Sequence, residues 1–159
     1  MYKKYLLIVL AILVLLPGVS FSKEEYVVKR VIDGDTLLLD NGERVGLLGV
    51  YAPVNRPHNS IEIVRQRYEK ALAFVRSLVK SGDRIRLEYD WQREDEYGRI
   101  LAYVFLEDGT FLNEEVIKQG YGQVYTRFPC KYTDDFRRHE REARLHKRGL
   151  WGESPEYGN

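Results

Sequence analysis

The sequence predicts a mainly β domain with helices, built around a closed barrel of five short strands. Three observations carry this expectation. Five short segments alternate or run apolar as strands do. One long segment with helical spacing falls between the third and fourth of them. An Asn-Gly pair joins the second and third. An open α+β sheet is the alternative that the same pattern allows.

In chain order, 26–32, 36–39 and 44–50 read as strands, with Asp40-Asn41-Gly42-Glu43 between the last two. Asn-Gly favours the centre of a type I′ turn because both residues tolerate positive φ, so an antiparallel hairpin is expected. A loop at 51–60 holds Pro53 and Pro57. A helix follows, capped by Asn59 with Glu62 three residues on and Gly82 past its end. Its apolar residues Ile61, Val64, Tyr68, Ala71, Leu72, Val75 and Leu78 fall at spacings of three and four, which covers one face.

Along 84–91, Ile85, Leu87, Tyr89 and Trp91 alternate with Arg84, Arg86, Glu88 and Asp90, the clearest strand pattern in the chain. The run 100–106 is continuously apolar and ends at Glu107-Asp108-Gly109-Thr110. Helices are expected over 113–119, closed by Gly120, and over 133–148, followed by Gly149. The last has Asp134 and Asp135 at its start and Lys147 and Arg148 at its end, matching the helix dipole. The total is a five-stranded barrel of the OB type with three helices.

The first 22 residues stand outside this pattern. Lys3 and Lys4 precede the unbroken apolar run 6–16, then Pro17 and Gly18, then Ser20-Phe21-Ser22. This is the layout of a signal peptide, with the folded domain over 23–159 and a secreted or periplasmic destination. Eleven helical residues span about 16 Å against a hydrocarbon core of about 30 Å, so no stable membrane span is expected after cleavage. An uncleaved anchor is the alternative. Loss of Lys3 and Lys4 leaves 23 basic residues against 24 acidic ones, a formal charge of −1. So near-neutral a domain has no general attraction for nucleic acid, and any such binding falls to a local patch. The single cysteine, Cys130, excludes an internal disulfide and reads as a plain core residue rather than a reactive thiol or an intermolecular link.

Several runs together resemble the staphylococcal nuclease (thermonuclease-like) family: VIDGDT at 31–36, LLGVYAP at 47–53, Ala71 with Phe74, DEYGRILAYV at 95–104, LNEEVIKQGYG at 112–122, and EAR…KRGLW at 142–151. Their order and spacing carry the resemblance, which covers 26–151. It implies an OB barrel and Ca²⁺-dependent hydrolysis of DNA and RNA phosphodiesters. It implies Asp35 as a metal ligand with Asp33 supporting it, the Ala52 carbonyl as a further ligand, and Arg99, preceded by Tyr97, as a phosphate-binding arginine. The other three chemical positions depart from the pattern. Gly46 stands where the resemblance expects an arginine, Tyr51 where it expects an aspartate, and Val54 where it expects a glutamate base.

Ca²⁺ takes six to eight oxygens, and its affinity tracks carboxylate number, so Asp35, one carbonyl and water would hold it weakly, on the order of millimolar. Loss of a general base costs about 10²–10⁴ in rate, and loss of a phosphate-stabilising arginine about 10³–10⁵. The expectation is therefore an exported domain without a cofactor, impaired as an enzyme, that binds nucleic acid, another polyanion or a protein partner. The alternative is an active metal-dependent phosphodiesterase with relocated groups, for which Arg44, Glu62, Arg56 and His58 are candidates.

A basic surface is expected on the last helix, where 136–151 holds Arg137, Arg138, Arg141, Arg144, Lys147 and Arg148 against Glu140 and Glu142. Intrahelical pairs Arg137–Glu140 and Arg138–Glu142 would make it an ordinary solvated face. Trp91, Tyr97, Tyr121, Tyr125 and Tyr132 are candidates for base stacking, with core packing as the alternative.

Overall fold

The structure, a computed structural model, describes residues 25–54, 62–125, 127 and 129–152. The apolar leader, Arg56, His58 and the Asn59 cap lie outside the described residues. Strands β1 (Glu25–Asp33), β2 (Thr36–Leu39) and β3 (Arg44–Leu47) form a meander, followed by the short β4 (Val50–Tyr51). Helix α1 (Glu62–Leu78) leads into β5 (Arg84–Glu88) and β6 (Ile100–Leu106). Then come α2 (Leu112–Lys118), β7 (Gln123–Val124), α3 (Thr133–Leu145) and a final 3₁₀ turn, Gly149–Gly152. The barrel closes in the order β1-β2-β3-β6-β5, so the closed reading holds over the open sheet. Its pairings are antiparallel except β3 with β6, and β4 pairs with β7 beside it.

Alternation places Val28, Leu37, Val45, Ile85 and Val104 inside the barrel, and α1 covers one opening with Ala71, Leu72 and Val75. Gly34 permits that approach. A Cβ there would sit 2.8 Å from the Ala52 Cβ and 3.0 Å from that of Ala71. The next helix, α2, is tied to the barrel by a fully buried Asn113. Its Nδ2 donates to the carbonyls of Leu48 (3.0 Å) and Ala102 (3.1 Å), and its Oδ1 accepts the Val104 N–H (2.9 Å).

Four local expectations are corrected. The 44–50 strand is two pieces, because Gly49 takes φ +79° and turns the chain out of the barrel. The hairpin is not type I′. Gly42 is left-handed (φ +89°), Asn41 is not, and Leu39 N–H bonds to Glu43 O across a three-residue loop. The 84–91 strand ends at Glu88, and Trp91, placed on the inward side by alternation, is 63% exposed. Asp90 leaves the ladder there to accept the Tyr103 hydroxyl (2.7 Å) and the Lys131 N–H (2.8 Å). Finally, the last helix stops at Leu145 rather than 148. Lys147 turns left-handed (φ 51°), with bonds from Lys147 N–H to Arg144 O and from Arg148 N–H to Ala143 O that cap the end.

Two stability changes follow. Asn113→Ala leaves the Leu48 carbonyl and the Val104 N–H without their side-chain partner, while the Ala102 carbonyl keeps the Leu48 N–H, and it is expected to cost about 2–4 kcal/mol in urea unfolding. Lys147→Gly relieves a left-handed side chain at a helix terminus and is expected to stabilise by about 0.5–1 kcal/mol in the same assay.

Candidate functional site

The β1–β2 turn, Asp33-Gly34-Asp35-Thr36, is folded by its own side chains. Asp33 Oδ1 accepts the Asp35 N–H at 3.2 Å, the usual way an aspartate closes a turn on the residue two ahead. Asp35 itself is buried, 5% exposed, and both of its oxygens are engaged. Oδ1 accepts the Thr36 hydroxyl (2.8 Å) and lies 3.1 Å from Arg99 Nη1; Oδ2 accepts the Ala52 N–H (3.1 Å). Its backbone carbonyl accepts the Leu47 N–H. One carboxylate thus ties β2 to the segment after β4 and to the turn before β6.

That second turn is built by Asp95. Its Oδ1 accepts the backbone N–H of Tyr97 (2.9 Å) and of Arg99 (3.0 Å), and its Oδ2 accepts Arg99 Nε (2.7 Å). Gly98 supplies the left-handed φ of +67° that the turn requires. Arg99 is therefore clamped at Nε, while Nη1 reaches Thr36 Oγ1 (2.7 Å) and Asp35. Burial pushes the Asp95 carboxyl up, but the bonds from Arg99 and Tyr97 outweigh it and hold the group below its ordinary range. Burial would likewise lower the Arg99 guanidinium, but the bond to Asp95 and the charges of Asp35, Asp95 and Asp33 raise it. Asp33 has no such partner. Burial first, then the Asp35 charge, push its carboxyl up to about 6.

Gly46 lies opposite Thr36 on β3. A Cβ at 46 would sit 3.3 Å from Arg99 Cζ and Nε and 3.1 Å from Leu101 Cδ2, so the Arg99 guanidinium rests in the space that a side chain there would need. Past the Gly49 bend, Tyr51 is 42% exposed and Ala52 is buried, and Pro53 and Val54 follow at the surface boundary. The resulting cleft has a volume of about 430 Å³, and its walls include Asp35, Tyr51, Asp95, Tyr97, Arg99 and Arg127.

The structure brings Asp33, Asp35, Tyr97 and Arg99 together, as the resemblance stated from the sequence implies. The candidate replacements fare differently. Arg44 Nη2 donates to the Tyr97 carbonyl (2.5 Å) at the cleft's edge, whereas Glu62 is held on the exposed start of α1 by Arg65 (2.7 Å) and Gln66 (2.8 Å). Arg137, Arg141 and Arg144 lie on α3 and do not line the cleft. The anticipated pairs to Glu140 and Glu142 are replaced by Arg137–Asp134 (3.5 Å) and Arg138–Asp135 (2.7 Å), while Arg144 pairs with Glu140 (2.8 Å). Counting acids from 136 onward missed the two aspartates that neutralise the first turn. Of the aromatic candidates, Tyr97 and Tyr125 face the cleft, while Tyr121 stacks on Phe74 and Tyr132 packs edge-on to Tyr103. Sequence reasoning did not single out Asp95, Glu96 or Arg127. The first was legible as the aspartate that opens Asp-x-Tyr-Gly-Arg. Arg127, 3.8 Å from Glu96, arrives from a distant loop.

The family model described as Staphylococcal nuclease homologue matches residues 44–153. The chain belongs to that family. It is 38% identical over 133 residues to the Thermonuclease of Staphylococcus intermedius, covering 80% of this chain and 76% of that one. Identity to the Thermonuclease of Staphylococcus hyicus is 33% over 140 residues, covering 84% and 80%. Endonuclease YncB of Bacillus subtilis (strain 168) is 40% identical over 131 residues, covering 79% of this chain but 60% of its own length.

In this staphylococcal nuclease homologue, the raised Asp33 carboxyl gives a pH test. A folded pKa above the unfolded one means that ionisation opposes folding, so its effect is absent below about pH 4 and complete above about pH 6. Asp33→Asn keeps the acceptor for the Asp35 N–H and removes the charge. It is expected to stabilise at pH 7 by on the order of 1 kcal/mol, allowing for Asp33's partial exposure, with no gain near pH 4 in chemical denaturation.

Proposed function

We propose that this chain is an exported nuclease homologue that binds single-stranded nucleic acid at the Asp35 cleft without the family's metal-dependent hydrolysis. The observation that carries the reading is the Asp35–Arg99 pair lying over Gly46. The carboxylate that the family pattern assigns to Ca²⁺ spends both oxygens on protein donors, one of them a guanidinium. Tyr51 and Val54 add no carboxylate beside it. Among the described residues no three His, Cys, Asp or Glu side chains converge as a ligand set. These donors do not fit a Ca²⁺ site of ordinary strength.

Binding is supported by a different set of groups. Tyr51, Tyr97 and Tyr125 offer exposed rings around the cleft, and the edges of Arg99 and Arg127 can meet phosphate. Asp35, Asp95 and Glu96 offset those arginines, so stacking rather than net charge dominates the attraction. Arg137, Arg138 and Arg144 on α3 are engaged by carboxylates of their own helix, which favours the cleft over that helix as the interface. Export rests on the basic start and apolar run of residues 3–16, and places the protein outside the cytoplasm; among the described residues no helix is long and apolar enough to cross a membrane.

A second reading, an active phosphodiesterase with relocated groups, is favoured by one observation: Arg127 and Glu96 both line the cleft. One experiment separates the two. Purified protein is expected to leave single-stranded DNA and RNA intact with or without millimolar Ca²⁺ or Mg²⁺. It should still retard a labelled oligonucleotide, and Tyr97→Ala should weaken that binding by about 1–3 kcal/mol. Metal-dependent turnover abolished by Asp35→Ala would reverse the assignment.

A further inference from the structure

Trp91 is the aromatic residue that alternation along 84–91 assigns to the core and that the structure leaves 63% exposed. A tryptophan at the surface forgoes a large burial gain. This one is nonetheless held in place. Its indole N–H donates to the Pro129 carbonyl (2.9 Å), and its backbone N–H donates to Asp90 Oδ1 (2.8 Å). Asp90 in turn accepts the Tyr103 hydroxyl and the Lys131 N–H, so the anchor reaches the barrel. The indole has no other polar group, so what it presents to solvent is ring.

Both segments that hold this ring run into the Asp35 cleft. Gln92, the next residue, lines the cleft, and so does Arg127, two positions before Pro129. Trp91 therefore adds a further exposed ring beside those of Tyr51, Tyr97 and Tyr125. Two exposed cations flank it. The Arg93 guanidinium lies over the Tyr89 ring at 4.3 Å, and the Lys131 ammonium lies over the Tyr132 ring at 4.8 Å. Asp90 is spent on the bonds above and Glu88 pairs with Arg86, which leaves Arg93 and Lys131 against Glu94. A ring ordered in advance loses little entropy on contact, and every base has a face to lay on it.

We propose that Trp91 is a stacking platform for one base of a single strand, placed where the strand leaves the Asp35 cleft. The inference rests on the reading of that cleft as a single-strand site and extends its footprint. Stacking needs one open side of the ring, which the exposure of Trp91 provides.

Trp91 and Trp151 are the two tryptophans, and the Trp151 indole nitrogen is buried. An oligothymidylate of about ten nucleotides, within the span an OB barrel covers, is expected to quench the emission of the purified protein saturably, and to leave that of Trp91→Phe unchanged. Phenylalanine keeps an aromatic face and gives up the bond to Pro129, whereas leucine gives up both. Trp91→Phe should therefore bind the oligonucleotide within about threefold of the parent, and Trp91→Leu at least about fivefold more weakly, the loss of one stacked base. A hairpin duplex, whose bases already stack on one another, should quench little at the same concentration. Binding without quenching, equal quenching by the duplex, quenching retained in Trp91→Phe, equal losses in the two variants, or unchanged affinity in Trp91→Leu would overturn this inference and leave the cleft reading standing. No binding of the oligonucleotide by the parent protein would overturn both.

Discussion

The contact between the Asp35 carboxylate and the Arg99 guanidinium is the constraint around which the rest of the site is arranged. A carboxylate 5% exposed has given up most of its hydration, a loss of several kcal/mol unless the protein replaces it. Here the replacement comes from three chain segments: the Thr36 hydroxyl, the Ala52 N–H and Arg99. Arg99 is in turn fixed by Asp95, which also shapes the turn that delivers it. The geometry is reciprocal. Neither the Ala52 segment nor the turn before β6 can shift without leaving a buried charge short of a partner, and that penalty exceeds the net value of the pair itself.

This constraint accounts for the electrostatics of the neighbours. Asp33, Asp35 and Asp95 surround one guanidinium. Arg99 is shared by Asp35 and Asp95, so Asp33 faces the remaining negative potential while partly buried, and its proton is held more tightly. Gly46 belongs to the same arrangement. The guanidinium lies where a Cβ on β3 would come within 3.3 Å, so the inward course of Arg99 and a side chain at 46 compete for one volume. An arginine at 46 would therefore require the Arg99 guanidinium to give by a few tenths of an ångström.

The barrel was legible because its strands alternate and its hairpin and helix ends carry glycine; Ile100–Leu106 matches the apolar run 100–106. What was hidden depended on φ at single residues. The left-handed Gly49 also packs where no side chain fits, with Phe136 and Cys130 at 2.9 and 3.0 Å from its would-be Cβ. Those residues lie more than eighty positions away in the sequence. Similarly, no local pattern marks Lys147 as the left-handed cap, since Gly149 two residues later looks the better stop. At the site, Asp33, Asp35 and Arg99 could be read because VIDGDT and DEYGR carry the family resemblance that assigns them. Arg127 and the Gly46–Arg99 competition could not, because each is a meeting of segments far apart in sequence.

The Gly49 bend also explains why Tyr51 borders both the Asp35 cleft and a second, largely apolar cavity lined by Pro53, Val54, Val64, Arg67 and Leu150. Val50 stays buried and pairs with Val124, and the next residue, Tyr51, pairs with Gln123 and emerges 42% exposed. Period-two alternation across that step forces position 51 outward whatever residue occupies it. An aspartate there would face the Asp35 cleft with a charge and the Arg67 cavity with the same charge. A phenol presents a neutral ring to both. Chemistry at position 51 therefore cannot be tuned for one cavity alone. A neutral residue at 51 withholds a carboxylate from the Asp35 cleft and from the adjoining wall alike, and the two effects are bound together by the turn that a single glycine permits.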